Sequence, residues 1–477
     1  MSAIPRPLPP SPATADYLRQ FWLAAGGDPA LLSQVAITGQ GALPSAFAVT
    51  EFATAAIGAA GLAMAEFVAA GAGAAGAPAV PAVEVDQRLA SFWFGTSLRP
   101  IGWSMPPLWD AVAGDYRAAD GWIRLHTNAP HHRDAALAVL GVAADRDAVA
   151  RAVARWRADE LEAAVVEHNG CAAAMRGLDA WRQHPQGQSV AAEPLLHRAA
   201  SGGGGARPAW RISRQRPLQG LRVLDLTRIL AGPVATRFLA GFGADVLRID
   251  PPGWEEPGTV PEVVLGKRCA RLDLKSAEGL ATLQRLLSQA DVLIHGYRAD
   301  ALARLGLDAE RRRQLNPTLV DVSLDAYGWS GEWRGRRGFD SLVQMSTGIA
   351  EAGMRAKGGD RPVPLPCQAL DHGTGYLMAA AAIRGLTERL ATGAGSTTRA
   401  SLARSAQLLV AHGGLLEGGP ALAPESAADW SEQIEATAWG PVRRVKPPLR
   451  IADTPQSWDY PASALGSSEA AWRDGSR

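Results

Sequence analysis

Between residues 221 and 326, short apolar runs alternate with segments of helical spacing. This alternation constrains the fold more than any other feature of the chain. "LRVLDL" is an apolar run with one charged break, as expected of a buried parallel strand. "PVATRFLAGFGA" has helical spacing, with Pro233 suited to a first turn. "DVLRID" and "CARLDL" read as the next strands. Ser276 then stands as the cap of "SAEGLATLQRLLSQA", whose Leu280, Leu283, Leu286 and Leu287 share one face. The strand "DVLIHGY", the short helix "DAERRRQL" closed by Asn316-Pro317, and the strand "TLVDVSL" complete the series. The pattern predicts an α/β fold: an open, mainly parallel, Rossmann-like sheet with helices on both faces. Ligands of such sheets bind at the carboxyl ends of the strands.

At 477 residues the chain is too long for one compact core. We expect a small α+β domain with an N-terminal helical segment over 1–196 and a Gly/Pro/Arg-rich linker over 197–217. A large catalytic domain over 218–420 and a tail over 421–477 that returns to the fold follow. The stretch 145–168 has helical periodicity around Val149, Val153, Trp156, Leu161 and Val165, and "ADGWIRLHTN" reads as a turn and a strand. Gly202 to Gly205 read as a hinge. The stretch 52–77 is long enough to span a bilayer, but it is rich in Ala and Gly and contains Glu66, so a buried helix is expected. The first residues have no apolar core and predict no signal peptide.

Net charge is +1, which offers no general attraction for nucleic acid or an anionic membrane. The three cysteines, Cys171, Cys269 and Cys367, are far apart and form no CxxC. A reducing cytoplasm is the expected setting, without structural zinc. The pair His131-His132 is not read as a metal site. The turn after "VLDLT" reads "RILAGP" and lacks GxGxxG, so NAD and FAD are not expected; Walker A and GxSxG sequences are also missing.

The chemistry-bearing candidate is Asp371, in "PLPCQALDHGTGYLMAAAAI". It opens a segment of helical composition, with Gly373 and Gly375 beside it. Taken alone it reads as a helix cap or as a carboxylate nucleophile. The glycines would let a bulky group approach, and a helix start would favour the anion.

Several blocks in order resemble the family III CoA-transferases, which include formyl-CoA and carnitine CoA-transferases and the α-methylacyl-CoA racemases. These are "LQGLRVLDLTRILAGPVATRFLAGFGADVLRIDPPG", "GKRCARLDLKSAEGLATLQRLLSQADVLIHGYRADALARLGLD", "NPTLVDVSLDAYGWSGEWRGRRGFDSLVQMSTG" and "ALDHGTGYLMAAAAIRGLTERLATGAGS". The resemblance covers roughly 218 to 410. It implies an enzyme that moves CoA between an acyl-CoA and a free carboxylic acid, with Asp371 as the covalent nucleophile. It implies CoA contacts at Ile229, Leu230, Ala231, Leu272, Lys275, Gly296, Tyr297, Arg298, Arg304 and Arg337. Pro251 stands where many members carry a basic residue. Racemases of the family carry "GHD" where this chain has "GFD", with Phe339 in the histidine position. That favours transfer over racemisation, unless His372 substitutes. A non-catalytic CoA-binding subunit is a third reading. "DGWIRLHTN" and "HNGCAAAMRGLDAWRQHPQG" resemble the small domain of the same family, here placed first. A homodimer, possibly interlocked, is implied. The loops 328–338 and 351–362 are expected to shape the acyl pocket, with Trp329 and Trp333 as packing aromatics.

Overall fold

A computed structural model describes residues 9–71, 79–201, 210–297, 300–412 and 420–473. The glycines 202–205, the first eight residues and Arg298 lie outside the described residues.

The central sheet has seven strands: β1 (His197–Ala200), β2 (Arg222–Leu226), β3 (Asp245–Asp250), β4 (Lys267–Arg271), β5 (Val292–His295), β6 (Val320–Asp325) and β7 (Ser396–Ser401). Their spatial order is β4-β3-β2-β5-β6-β7-β1. All neighbours are parallel except β7 and β1, which run antiparallel. The expected parallel sheet is therefore present. One expectation fails at its edge: residues 197–200, read as linker, form β1. Their backbone groups satisfy the otherwise open edge of β7.

The period of two along each strand divides the sheet into two faces. Val223, Val292 and Val320 point to a core shared with α1 (Pro12–Ala24), α2 (Val49–Gly71), α3 (Ala231–Ala240) and α6 (Ala369–Thr392). Leu224, Leu247 and Leu293 point to the opposite core, against Leu283, Leu286 and Leu287 of α4 (Ala277–Ser288). The Ser276 hydroxyl accepts the Gly279 N–H at 3.0 Å and caps α4 as expected. Helix α5 (Asp340–Ser346) precedes α6 and packs against its start.

Helix α2 is apolar and long enough to cross a membrane by length and composition, with a mean hydropathy of 1.6, yet 89% of that window is buried inside the fold. It packs on α1 and α6. Glu66, its internal charge, is ion-paired with Arg384 of α6.

The first helices thus share the main core, while a separate core lies between Val112 and Ala174. That smaller core packs an antiparallel sheet (Gly114–Arg117, Trp122–Leu125, Ala172–Ala174) against helices. The helical periodicity over 145–168 resolves into two helices, Arg146–Val153 and Ala158–Glu167. The break occurs where the Ala158 N–H turns to the Asp120 carboxylate at 2.9 Å. The C-terminal residues cross back over the molecule. Gly440–Val445 pairs with Leu98–Pro100, and Leu449–Ile451 pairs with Val83–Asp86.

Candidate active site

Helix α6 begins at Ala369, so Asp371 is its third residue and Gln368 occupies the cap position without a side-chain cap bond. Asp371 is therefore not the N-cap. That task falls to Asp340, the first residue of α5, whose Oδ2 accepts the Asp371 N–H at 2.9 Å. Asp340 is fully buried, and Gln344 donates to its Oδ1. Gln344 in turn accepts the Leu365 N–H at 2.7 Å, which ties the Pro-rich approach to the helix start. The sequence contained this signal in "GFD", where Phe339 drew attention and its neighbour did not.

Two buried carboxyls thus meet at one helix terminus. Burial raises the Asp340 carboxyl to about 6, against the hydrogen bonds that it accepts from Gln344 and from the helix N–H groups. Burial and the Asp340 charge push Asp371 well above the usual carboxylate range. Like charges at such a site do not both ionise. Asp340 is the better hydrogen-bonded of the two, and burial together with the Asp340 charge favours the protonated form of Asp371. Desolvation and the Asp340 charge oppose the stabilisation that a helix start offers the Asp371 anion.

Asp371 lines a cavity of about 630 Å³. Ile229, Leu230, Phe339 and His372 line it too, as do the segments 105–110, 254–259 and 365–368. It opens off the carboxyl ends of β2 and β3, beside the point where the strand order reverses. The loop "MPPLWD" forms one wall and Trp254 belongs to another. Sequence reading missed both, since neither follows a helical or strand period. The loops 328–338 and 351–362 are not among the lining residues. Residues 349–356 form a helix instead, and Trp329 donates its indole N–H to the Ala400 carbonyl at 2.9 Å as a packing aromatic. Trp333 packs with Tyr327 and Trp181.

Phe339 stacks on His126, with centroids 3.7 Å apart and planes 5° from parallel. His126 lines the cavity and is held neutral by burial, well below its ordinary pKa. His372 stacks on Phe94 at 5.0 Å, and burial lowers it to about 3. Both histidines are neutral imidazoles at physiological pH.

The turn after β2 is strained at Ile229, whose φ is +62°. Its N–H is committed to Glu256 at 3.0 Å. Glu256 also accepts from Trp254 Nε1 at 2.8 Å and from buried Arg248 at 3.0 Å. The implied backbone contact with CoA at Ile229 is therefore occupied by Glu256 in this structure. Beneath the turn, Lys267 pairs with Asp225 at 3.0 Å, both fully buried.

The other expected contacts are scattered. Ala231 is buried in the start of α3. Leu272 packs beside the second core, and Lys275 is exposed. Gly296 is exposed, and the Tyr297 ring lies under Arg228, whose guanidinium also covers Trp254 at 4.1 Å. Arg304 pairs with Asp300 on the surface, and Arg337 donates to the Asn169 carbonyl at 2.8 Å. None of these lines the cavity. At Pro251, where a basic residue was missing, Arg271 donates to the Pro251 carbonyl at 3.1 Å and brings a guanidinium to that turn.

Gly373 and Gly375 are also corrected. Neither lines the cavity. A Cβ on Gly373 would lie 2.1 Å from the Phe52 ring, and one on Gly375 would lie 2.4 Å from the Ala231 carbonyl. They let α6 approach α2 and α3, and do not make room for an acyl group.

The model of CoA-transferase family III matches residues 218–429. An acyl-CoA transferase of Gibberella moniliformis is 30% identical over 327 residues, covering 63% of this chain and 56% of that protein. A succinate–glutarate CoA-transferase of Agrobacterium fabrum is 36% identical over 156 residues, covering 29% and 39%. Human alpha-methylacyl-CoA racemase is 34% identical over 187 residues, covering 39% and 48%. The chain spans about half the length of such curated relatives. Over residues 218–429, less than half of its length, this chain is similar to CoA-transferase family III.

Proposed function

We propose that the protein transfers CoA from an acyl-CoA to a free carboxylic acid through a covalent intermediate on Asp371. The observation that carries this reading is a buried carboxyl at a helix N-terminus on the wall of a cavity, beside the strained turn of Ile229. In this mechanism the Asp371 carboxylate attacks the thioester carbonyl, the C–S bond breaks, and CoA leaves as thiolate. An aspartyl–acyl anhydride remains. The thiolate attacks the aspartyl carbonyl, releasing the donor acid and leaving an aspartyl-CoA thioester. The acceptor carboxylate and the thiolate then pass through the same two intermediates in reverse, and Asp371 is regenerated. Its first requirement is loss of the Asp371 proton.

Intact-mass spectrometry with acyl-CoA donors and hydroxylamine tests the reading. Wild type is expected to become a hydroxamate at Asp371, and Asp371→Ala is expected to stay unmodified. A wild type that labels with no donor in a broad panel would sink it.

Racemisation is the second reading, favoured by the neutral His126 stacked on Phe339 in the same cavity. Exchange of the α-proton in deuterated water without an acid acceptor would support it. CoA binding without a covalent adduct would favour a non-catalytic subunit. A cytoplasmic homodimer belongs to the same proposal, and the unpaired Cys171, Cys269 and Cys367 suit a reducing compartment.

A further inference from the structure

The walls of the cavity carry a statement about its ligand. Among the described residues that line it there is no lysine and no arginine. Apolar side chains dominate, including Met105, Leu108, Trp109, Trp254, Val263 and Phe339. The carboxylates at its edge already have cations, and those cations belong to other elements. Asp110 pairs with Arg133 at 3.2 Å, Glu256 with Arg248 at 3.0 Å, and Glu262 with Arg237. Glu255 pairs with Arg271. The lining thus offers an anionic group carboxylates that are already paired, and the nearby Arg228 guanidinium lies over the Trp254 ring without lining the cavity. Desolvating a charge without a partner is costly, and a like charge adds to that cost.

A second observation points the same way. Four large hydrophobic residues are exposed among those described, and one of them, Leu108 at 45%, lies in the loop that walls the cavity. A ligand chain of matching polarity would cover part of that surface.

We infer that the acyl group held beside Asp371 is uncharged and apolar, an aliphatic or aryl chain without a second carboxylate. This rests on the reading of the site as an acyl-CoA site, and it excludes dicarboxylic acyl groups as good substrates.

The test uses the full chain and two unreactive thioethers, S-hexyl-CoA and S-(3-carboxypropyl)-CoA, measured by isothermal titration calorimetry. Neither can acylate Asp371, so the result is independent of the covalent mechanism, which the hydroxylamine experiment addresses separately. S-hexyl-CoA is expected to bind tighter by on the order of 10²-fold, the scale of an unpaired buried charge. Equal affinities, tighter binding of the carboxylated compound, or no binding of either would overturn the inference. In Leu108→Arg the half-exposed site gains a cation with little demand on the core, and the ratio is expected to narrow by about tenfold. An unchanged ratio in a folded variant would count against the inference, since the discrimination would not then come from the missing cation.

Discussion

The Oδ2 atom of Asp340 accepts the backbone N–H of Asp371 at 2.9 Å, so one carboxylate caps the helix that presents the other. This couples the two groups chemically as well as structurally, because the Asp340 charge is one cause of the raised Asp371 pKa. In Asp340→Asn the charge is lost and one oxygen remains to accept the Asp371 N–H, at the expense of the bond from Gln344. The Asp371 proton is then released at lower pH, and hydroxamate trapping should shift its pH profile downward. Asp340→Ala also removes the cap and should destabilise the fold by about 1–2 kcal/mol. A pH–rate profile unchanged in Asp340→Asn would show that the pair is not coupled.

The raised Asp371 pKa has a definite sign in stability. A carboxyl whose folded pKa lies above its unfolded value of about 3.9 binds its proton more tightly when folded. Its contribution is fully present below the unfolded pKa and is lost as pH rises through the folded one. Asp371→Asn removes that loss. Urea denaturation should therefore find the variant more stable than wild type at pH 7.5, with a smaller difference at pH 4. Asp325, which burial raises to about 7, acts in the same direction, with its loss between pH 4 and pH 7.

Gly375 is expected to matter for packing rather than for access. A Cβ there would lie 2.4 Å from the Ala231 carbonyl and 2.9 Å from Val234 Cβ. Backbone at that distance cannot give way as a flexible side chain can. Gly375→Ala should cost about 1–3 kcal/mol by chemical denaturation. Because it pushes α6 from the start of α3, it should also weaken CoA binding. Unchanged stability would mean that the helices separate freely.

Ile229 is a β-branched residue in the left-handed region, at φ +62°. Such a conformation costs about 1–2 kcal/mol for a residue with a Cβ. The bond to Glu256 at 3.0 Å helps to hold it. Ile229→Gly should raise the melting temperature, and Glu256→Ala should lower it and leave buried Arg248 without one of its two acidic partners. If Ile229→Gly lowers the melting temperature, the packing of its side chain outweighs the strain.

Much of the architecture was readable because it rests on local periodicity. The strands β2 to β6 follow from apolar runs of buried-strand length, and α4 follows from Ser276 and its leucine face. Asp371 was legible for a different reason, since its neighbours resemble a family block. The wall at 105–110 and the pairing of Asp340 with Asp371 were not legible. Both depend on segments far apart in the chain, and a loop without period leaves no local trace.

By itself, the sequence determined the alternating elements, the burial of α2 despite its internal Glu66, and Asp371 as the candidate carboxyl. Tertiary structure decided its state. Desolvation and a second carboxylate, supplied from 31 residues upstream, raise the proton affinity of Asp371, and that second carboxylate takes the capping role. The same distant contacts turned Gly373 and Gly375 into packing residues and linker residues 197–200 into an edge strand. Periodicity is a property of neighbours in sequence. Proton affinity and close approach are properties of neighbours in space.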